Sequence, residues 1–302
     1  MGRYAVIDIG SNSVKFHAAR VIHGRVTPLD DRLLVTRLGE GLAATGELDE
    51  TAIGRTVAAV VEFRRRAEAL GVEKVVAVGT EALRRAENAD ELLALVERRA
   101  RLRVEILDPE REATYAYRAA RAALADLPDA VTVFDCGGAS TEVIVGRGER
   151  IVAWGSVPVG VRTLTDAHRL EGRVPDQRQA AAEAAVREGL AGLPRPAGEA
   201  LVGIGGAPHT LVTAIRGERP EDPASLDGTV VTRDEIAALR DRLRQTSLTE
   251  RRRWAGLMPE RADVALAGAL VVLHLMETAE QTSFVVCSAG IRHGVFRERF
   301  VR

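Results

Sequence analysis

Two short segments of this 302-residue chain carry the residue types that grip phosphate. One is DIGSNS, Asp8 to Ser13, and the other is DCGGASTE, Asp135 to Glu142. In the first, Gly10 relieves steric limits, backbone N–H groups can converge on an anion, and Ser11, Asn12 and Ser13 add side-chain donors. In the second, Gly137 and Gly138 allow close approach by a phosphate chain, Ala139 continues the turn, and Ser140 and Thr141 can donate. Asp8 would repel phosphate unless a cation intervened, so a divalent ion is implied. Asp135 and Glu142 supply two more carboxylates, and Mg²⁺, or Mn²⁺ in its place, suits such oxygen donors. GIGGAPH adds Gly205 and Gly206 before a helix whose N-terminus favours anions, and SAGIRHG places Arg292 in a fourth glycine-containing turn. His209 and His293 have no second histidine at ligand spacing and are expected to cap locally or meet solvent.

Hydrolysis needs a base to activate water. Glu112, in LDPEREATYAY, lies in the first turns of a helix opened by Pro109. Glu110 is its close competitor. A helix turns about 100° per residue, so only one of them can point squarely into a cleft, and spacing alone does not choose. Among the arginines, Arg84 after the Gly79-Thr80 strand end and Arg162 after Gly160 have the context of phosphate ligands.

Both turns sit between apolar runs, so each reads as a β-hairpin, and the repeat predicts two similar lobes facing a shared phosphate site. In the first lobe, strands are predicted over 4–9, 14–21, 25–29, 72–78 and 104–107, with helices over 49–70, 89–99 and 109–125. The second restarts with strands over 131–134, 142–146, 151–158, 201–204 and 284–287. Its helices are expected over 177–190, 232–245 and 262–277. Residues 216–227 read as a surface loop, and 124–130 as the junction, giving lobes 1–124 and 125–302. The class is α/β, with mixed sheets and helices packed outside.

Bulk composition sets limits. A net charge of −1 gives no reason to expect a nucleic-acid partner. Basicity comes from arginine, since Lys15 and Lys74 are the only lysines. Cys136 and Cys287 lie in or beside apolar runs without ligand spacing and read as buried thiols of a reducing compartment. Residues 264–276 are apolar but too short to span a bilayer, and no leader pattern opens the chain. A cytoplasmic protein without a membrane partner is expected.

Taken in order, DIGSNS, GTEALRRAEN, PEREA, DCGGASTE, VGVR, GIGGAPHTL, RAD and SAGIRHG resemble the exopolyphosphatase / guanosine-pentaphosphate phosphohydrolase (Ppx/GppA) phosphatase family over essentially the whole chain. The resemblance implies a two-lobed actin-like ATPase (ribonuclease H-like) fold with the active site in the cleft. It implies Glu112 rather than Glu110 as base, Arg84 on the phosphate chain, and Asp135 and Glu142 as metal carboxylates with Asp8 in support. The substrate it implies is inorganic polyphosphate or guanosine pentaphosphate, and relatives are often dimers. Ala139 stands where the family usually has glycine, Cys136 where it often has isoleucine or leucine, and Ala207-Pro208 where threonine commonly follows the glycine pair. The length matches the short, two-domain form. Rival readings are a sugar or acetate kinase, which shares the fold, and a non-catalytic polyphosphate or nucleotide sensor.

Overall fold

Alternating and apolar patterns over residues 2–35 produce a meander of β1 (Gly2–Ile9), β2 (Ser13–Ile22) and β3 (Arg25–Val35) in the computed structural model, which describes residues 2–301. The third strand runs six residues past its predicted end, carried by its pairing with β2 up to Ser13↔Val35. There follow α1 (Leu42–Thr45), α2 (Glu50–Ala69), β4 (Lys74–Gly79), α3 (Glu81–Arg85), α4 (Ala89–Ala100), β5 (Val104–Ile106) and α5 (Pro109–Ala123). The sheet order is β3-β2-β1-β4-β5. Strand β1 is central and largely buried, antiparallel to β2 and parallel to β4. Helix α2 starts where the Asp49 side chain accepts from the Ala52 amide, at 2.9 Å. It buries Ile53, Val57, Val60 and Phe63, with Phe63 stacked on Phe16 at 5.2 Å. Each such side chain contributes roughly 1.5–3 kcal/mol of burial.

The grammar then repeats. β6 (Ala130–Cys136), β7 (Thr141–Arg147) and β8 (Arg150–Val157) form a second meander. It is followed by α6 (Val161–His168), α7 (Asp176–Leu190), β9 (Ala200–Ile204), α8 (Gly206–Arg216) and β10 (Val230–Thr232). Next come α9 (Arg233–Gln245), α10 (Leu248–Arg251), α11 (Ala265–Thr278) and β11 (Ser283–Cys287). The order is β10-β11-β9-β6-β7-β8, so β6, β7, β8, β9 and β11 repeat the placement of β1 to β5. Thr232 and Glu235 cap α9 reciprocally, as their spacing predicts. Helix α11 is apolar on nearly every face and buried, a core helix rather than a span. Among the described residues no helix is long and apolar enough to cross a membrane.

The chain ends in α12 (Ile291–Phe300), which rejoins the first unit. The units are residues 2–115 with 291–301, and residues 116–290, rather than the single break expected after residue 124. The reason is aromatic packing. Phe296 is buried and meets the His17 ring edge-on at 5.0 Å, while Phe300 stacks on Tyr4 at 4.4 Å. The division falls within α5, between two tyrosines. Tyr115 donates to Glu298 at 2.6 Å, and Tyr117 donates to the Gly148 carbonyl at 2.7 Å.

Candidate active site

In the first unit the candidate residues collect at the carboxyl ends of the parallel strands β1, β4 and β5, where open α/β sheets bind ligands. The Gly10 amide donates to the Ser13 carbonyl at 3.1 Å and closes the DIGSNS turn. A loop beyond β3 buttresses it: the Thr36 and Arg37 amides both donate to the Asn12 carbonyl at 3.1 Å, and Gly39 to Ser11 at 2.7 Å. Ser11, Asn12 and Ser13 are all buried. Asp8 is 2% exposed, with Oδ2 3.6 Å from Lys15 Nζ and Oδ1 lacking any hydrogen-bond partner.

Strand ends bring the remaining groups up. Thr80 donates to the Ile9 carbonyl at 3.3 Å and Leu107 to that of Gly79 at 2.9 Å. From these ends α3 carries Arg84 and α5 carries Glu112. Asp108 caps α5 by accepting from the Arg111 amide at 2.8 Å. Glu112 is 3% exposed while Glu110 is exposed, so the structure separates two residues that spacing did not. Arg84 donates through Nη1 to Glu112 Oε1 and to the Leu107 carbonyl, and through Nη2 to Glu81 Oε2 at 2.6 Å. Burial works against the Arg84 charge, but the Glu112 and Glu81 carboxylates outweigh it and hold the guanidinium above its ordinary value.

The second unit builds a matching turn. The Gly137 amide donates to the Ser140 carbonyl at 2.9 Å. Its buttress is a helix start: Val161 donates to the Gly137 carbonyl at 2.9 Å, and Arg162 to that of Gly138 at 2.8 Å. A Cβ on Gly160 would run into the Gly138 backbone, so only glycine permits this approach. Ala139 and Ser140 are buried in the turn. Asp135 and Glu142 are buried opposite one another on β6 and β7, and Glu142 accepts from Ser156 at 2.7 Å. Gly205, at φ 82°, and Gly206 open α8, and a Cβ on Gly206 would meet the Arg261 guanidinium. Burial pushes the Cys136 thiol up to about 12, which keeps it inert beside this turn.

Two expectations change here. Thr141 is fully buried and its hydroxyl donates to the Val159 carbonyl at 2.5 Å, so that donor fastens the backbone rather than facing a ligand. Arg162 is 4% exposed. It donates to Asp263 at 2.6 Å and to Asp166 at 3.2 Å, a brace behind the turn. Burial opposes its charge and the two carboxylates more than restore it.

A sequence profile described as the Ppx/GppA phosphatase family matches residues 18–301. The chain belongs to the Ppx/GppA phosphatase family. A solved Ppx/GppA enzyme of Aquifex aeolicus superposes with a TM-score of 0.82 at 32% identity, over 99% of each chain. That likeness carries the actin-like ATPase fold with it. Exopolyphosphatase 2 of Mycobacterium tuberculosis is 28% identical over 90% of this chain and 89% of its own length. A guanosine-5'-triphosphate,3'-diphosphate pyrophosphatase of Photobacterium profundum is 28% identical over 98% of this chain. The chain spans 59% of that relative's length.

Within this Ppx/GppA protein, the donors at the first turn fit a hard divalent cation. Asp8 Oδ1 and Asn12 Oδ1 are buried oxygens without hydrogen-bond partners, a costly state that a cation relieves. In the second unit Asp135 and Glu142 supply buried carboxylates, a donor type that also suits such a cation. Chain spacing missed one other group altogether. His17, Asp31 and His293 bring one ligand atom each to within 4.8 Å of one another. The expectation that His293 lacks a partner histidine is therefore corrected: its partner comes from β2, and only the folded sheet reveals it.

Proposed function

We propose that this protein is an exopolyphosphatase that releases terminal orthophosphate from inorganic polyphosphate with a divalent metal. The observation that supports it best is the buried Glu112 carboxylate ion-paired to Arg84 at the strand ends that carry the DIGSNS turn. Glu112 takes a proton from the attacking water. The water oxygen bonds to the terminal phosphorus as the bridging P–O bond breaks, and the electron pair leaves on the shortened chain. Arg84 and the amides of the turns bind phosphoryl oxygens and stabilise their charge, the main task in such transfer. Mg²⁺ held by Asp8, Asp135 or Glu142 would supply further screening of phosphate charge. No covalent enzyme intermediate is required.

A second reading is hydrolysis of the 5′-phosphate of guanosine pentaphosphate, favoured by the name of the Photobacterium relative. Both substrates present a terminal phosphoryl group. The test is orthophosphate release with Mg²⁺ from long polyphosphate, short polyphosphate, guanosine pentaphosphate and ATP, assayed side by side. Polyphosphate is expected to give the fastest release. Faster release from guanosine pentaphosphate would move the assignment to the second reading. Labelled phosphate passing from ATP to an acceptor would point to a kinase, and tight binding without release to a sensor.

A further inference from the structure

We propose a second metal site, for a zinc-type divalent ion, formed by His17 Nδ1, Asp31 Oδ2 and His293 Nε2. His17 and Asp31 are opposed residues on β2 and β3, and His293 reaches them from the first turn of α12. The three ligand atoms lie within 4.8 Å of one another, with Nδ1 2.9 Å and Nε2 3.0 Å from the same Asp31 oxygen. Tetrahedral bonds of about 2.0–2.1 Å require ligand atoms about 3.3 Å apart. Shifts of a few tenths of an ångström therefore suffice at the two measured pairs.

Three features favour an ion over a plain hydrogen-bond cluster. The donor set is two imidazoles and one carboxylate, which zinc takes when a fourth position is left to water. Arg292 Nη2 donates to Asp31 Oδ1 at 2.7 Å, which orients the carboxylate and leaves Oδ2 toward the histidines, as an outer partner does in metal sites. The rings are also held in place: His17 lies 4.4 Å from the His293 ring and edge-on to Phe296 at 5.0 Å. His17 is buried, but the Asp31 and His293 side chains keep 24% and 20% exposure, which gives an ion a way in.

The donor set decides the choice of ion. Mg²⁺ prefers oxygen ligands and is disfavoured beside two imidazoles. Zn²⁺ and Co²⁺, which bond imidazole nitrogen strongly, are favoured. The ion would staple α12 to the β2–β3 hairpin within the first unit.

The test uses metal-stripped full-length protein. Zn²⁺ titrated against a coloured chelator is expected to bind one ion per chain, and Co²⁺ to give a visible ligand-field spectrum. His293→Gln, at a partly exposed position, is expected to weaken Zn²⁺ by roughly 100-fold or more, since even outer partners cost about 10–100-fold. It is also expected to remove the Co²⁺ bands. Circular dichroism checks its fold, and Asp31→Asn serves as a second variant. Zn²⁺ binding absent from the native protein, or binding and spectrum unchanged in folded His293→Gln and Asp31→Asn, would overturn the site and leave a metal-free hydrogen-bonded staple.

Discussion

In the first glycine-rich turn the Gly10 amide meets the Ser13 carbonyl at 3.1 Å; in the second the Gly137 amide meets that of Ser140 at 2.9 Å. A Cβ added at either glycine would stand 3.2 Å from the same carbonyl. The support behind them differs. The first is held by the irregular loop at Thr36–Gly39 and shares its strand ends with Arg84 and Glu112. The second is held by the N-terminus of α6, locked by the buried Arg162–Asp263 pair. One hairpin plan thus has two settings, the buried Arg84–Glu112 pair beside one turn and a rigid brace behind the other.

The largest effect is expected from removing divalent metal. A chelator is expected to abolish orthophosphate release, and Mg²⁺ to restore it, checked by phosphate assay; release persisting in chelator would contradict the metal role. Next in size is Arg84→Ala, which removes the cation beside Glu112 and the phosphoryl contact proposed for it. Loss of one such donor costs about 10²–10³ in turnover, read as kcat. Gly160→Ala tests the brace. Its methyl group would overlap the Gly138 backbone, and overpacking of this kind costs about 1–3 kcal/mol, read as a lowered thermal midpoint with a raised KM. The smallest effects are expected from Gly10→Ala and Gly137→Ala, roughly 1 kcal/mol or less and equal to one another, measured by denaturant unfolding. Unequal values would break the equivalence of the turns.

Much of this was legible in the chain. The repeat could be read because each hairpin announces itself locally, with apolar strands around a glycine turn, and β1 and β2 fall within two residues of their predicted ends. What could not be read depends on partners remote in sequence. Arg162 looked like a phosphate ligand until Asp263, 101 residues on, took its guanidinium. His293 has no second histidine at ligand spacing because its partner, His17, lies far back in the chain on β2. Helix α12 follows the second unit in sequence, and only its Phe296 and Phe300 packing returns it to the first. Glu110 and Glu112 were separated by burial, a property of the folded helix rather than of its spacing.

The central claim is that Glu112 is the base. The most direct measurement compares polyphosphate binding and orthophosphate release, with Mg²⁺, in native protein, Glu112→Gln and Glu110→Gln. A lost general base costs roughly 10²–10⁴ in rate. Glu112→Gln is expected to bind polyphosphate and lose release by that factor, while Glu110→Gln stays near native. Native release from folded Glu112→Gln would contradict the account.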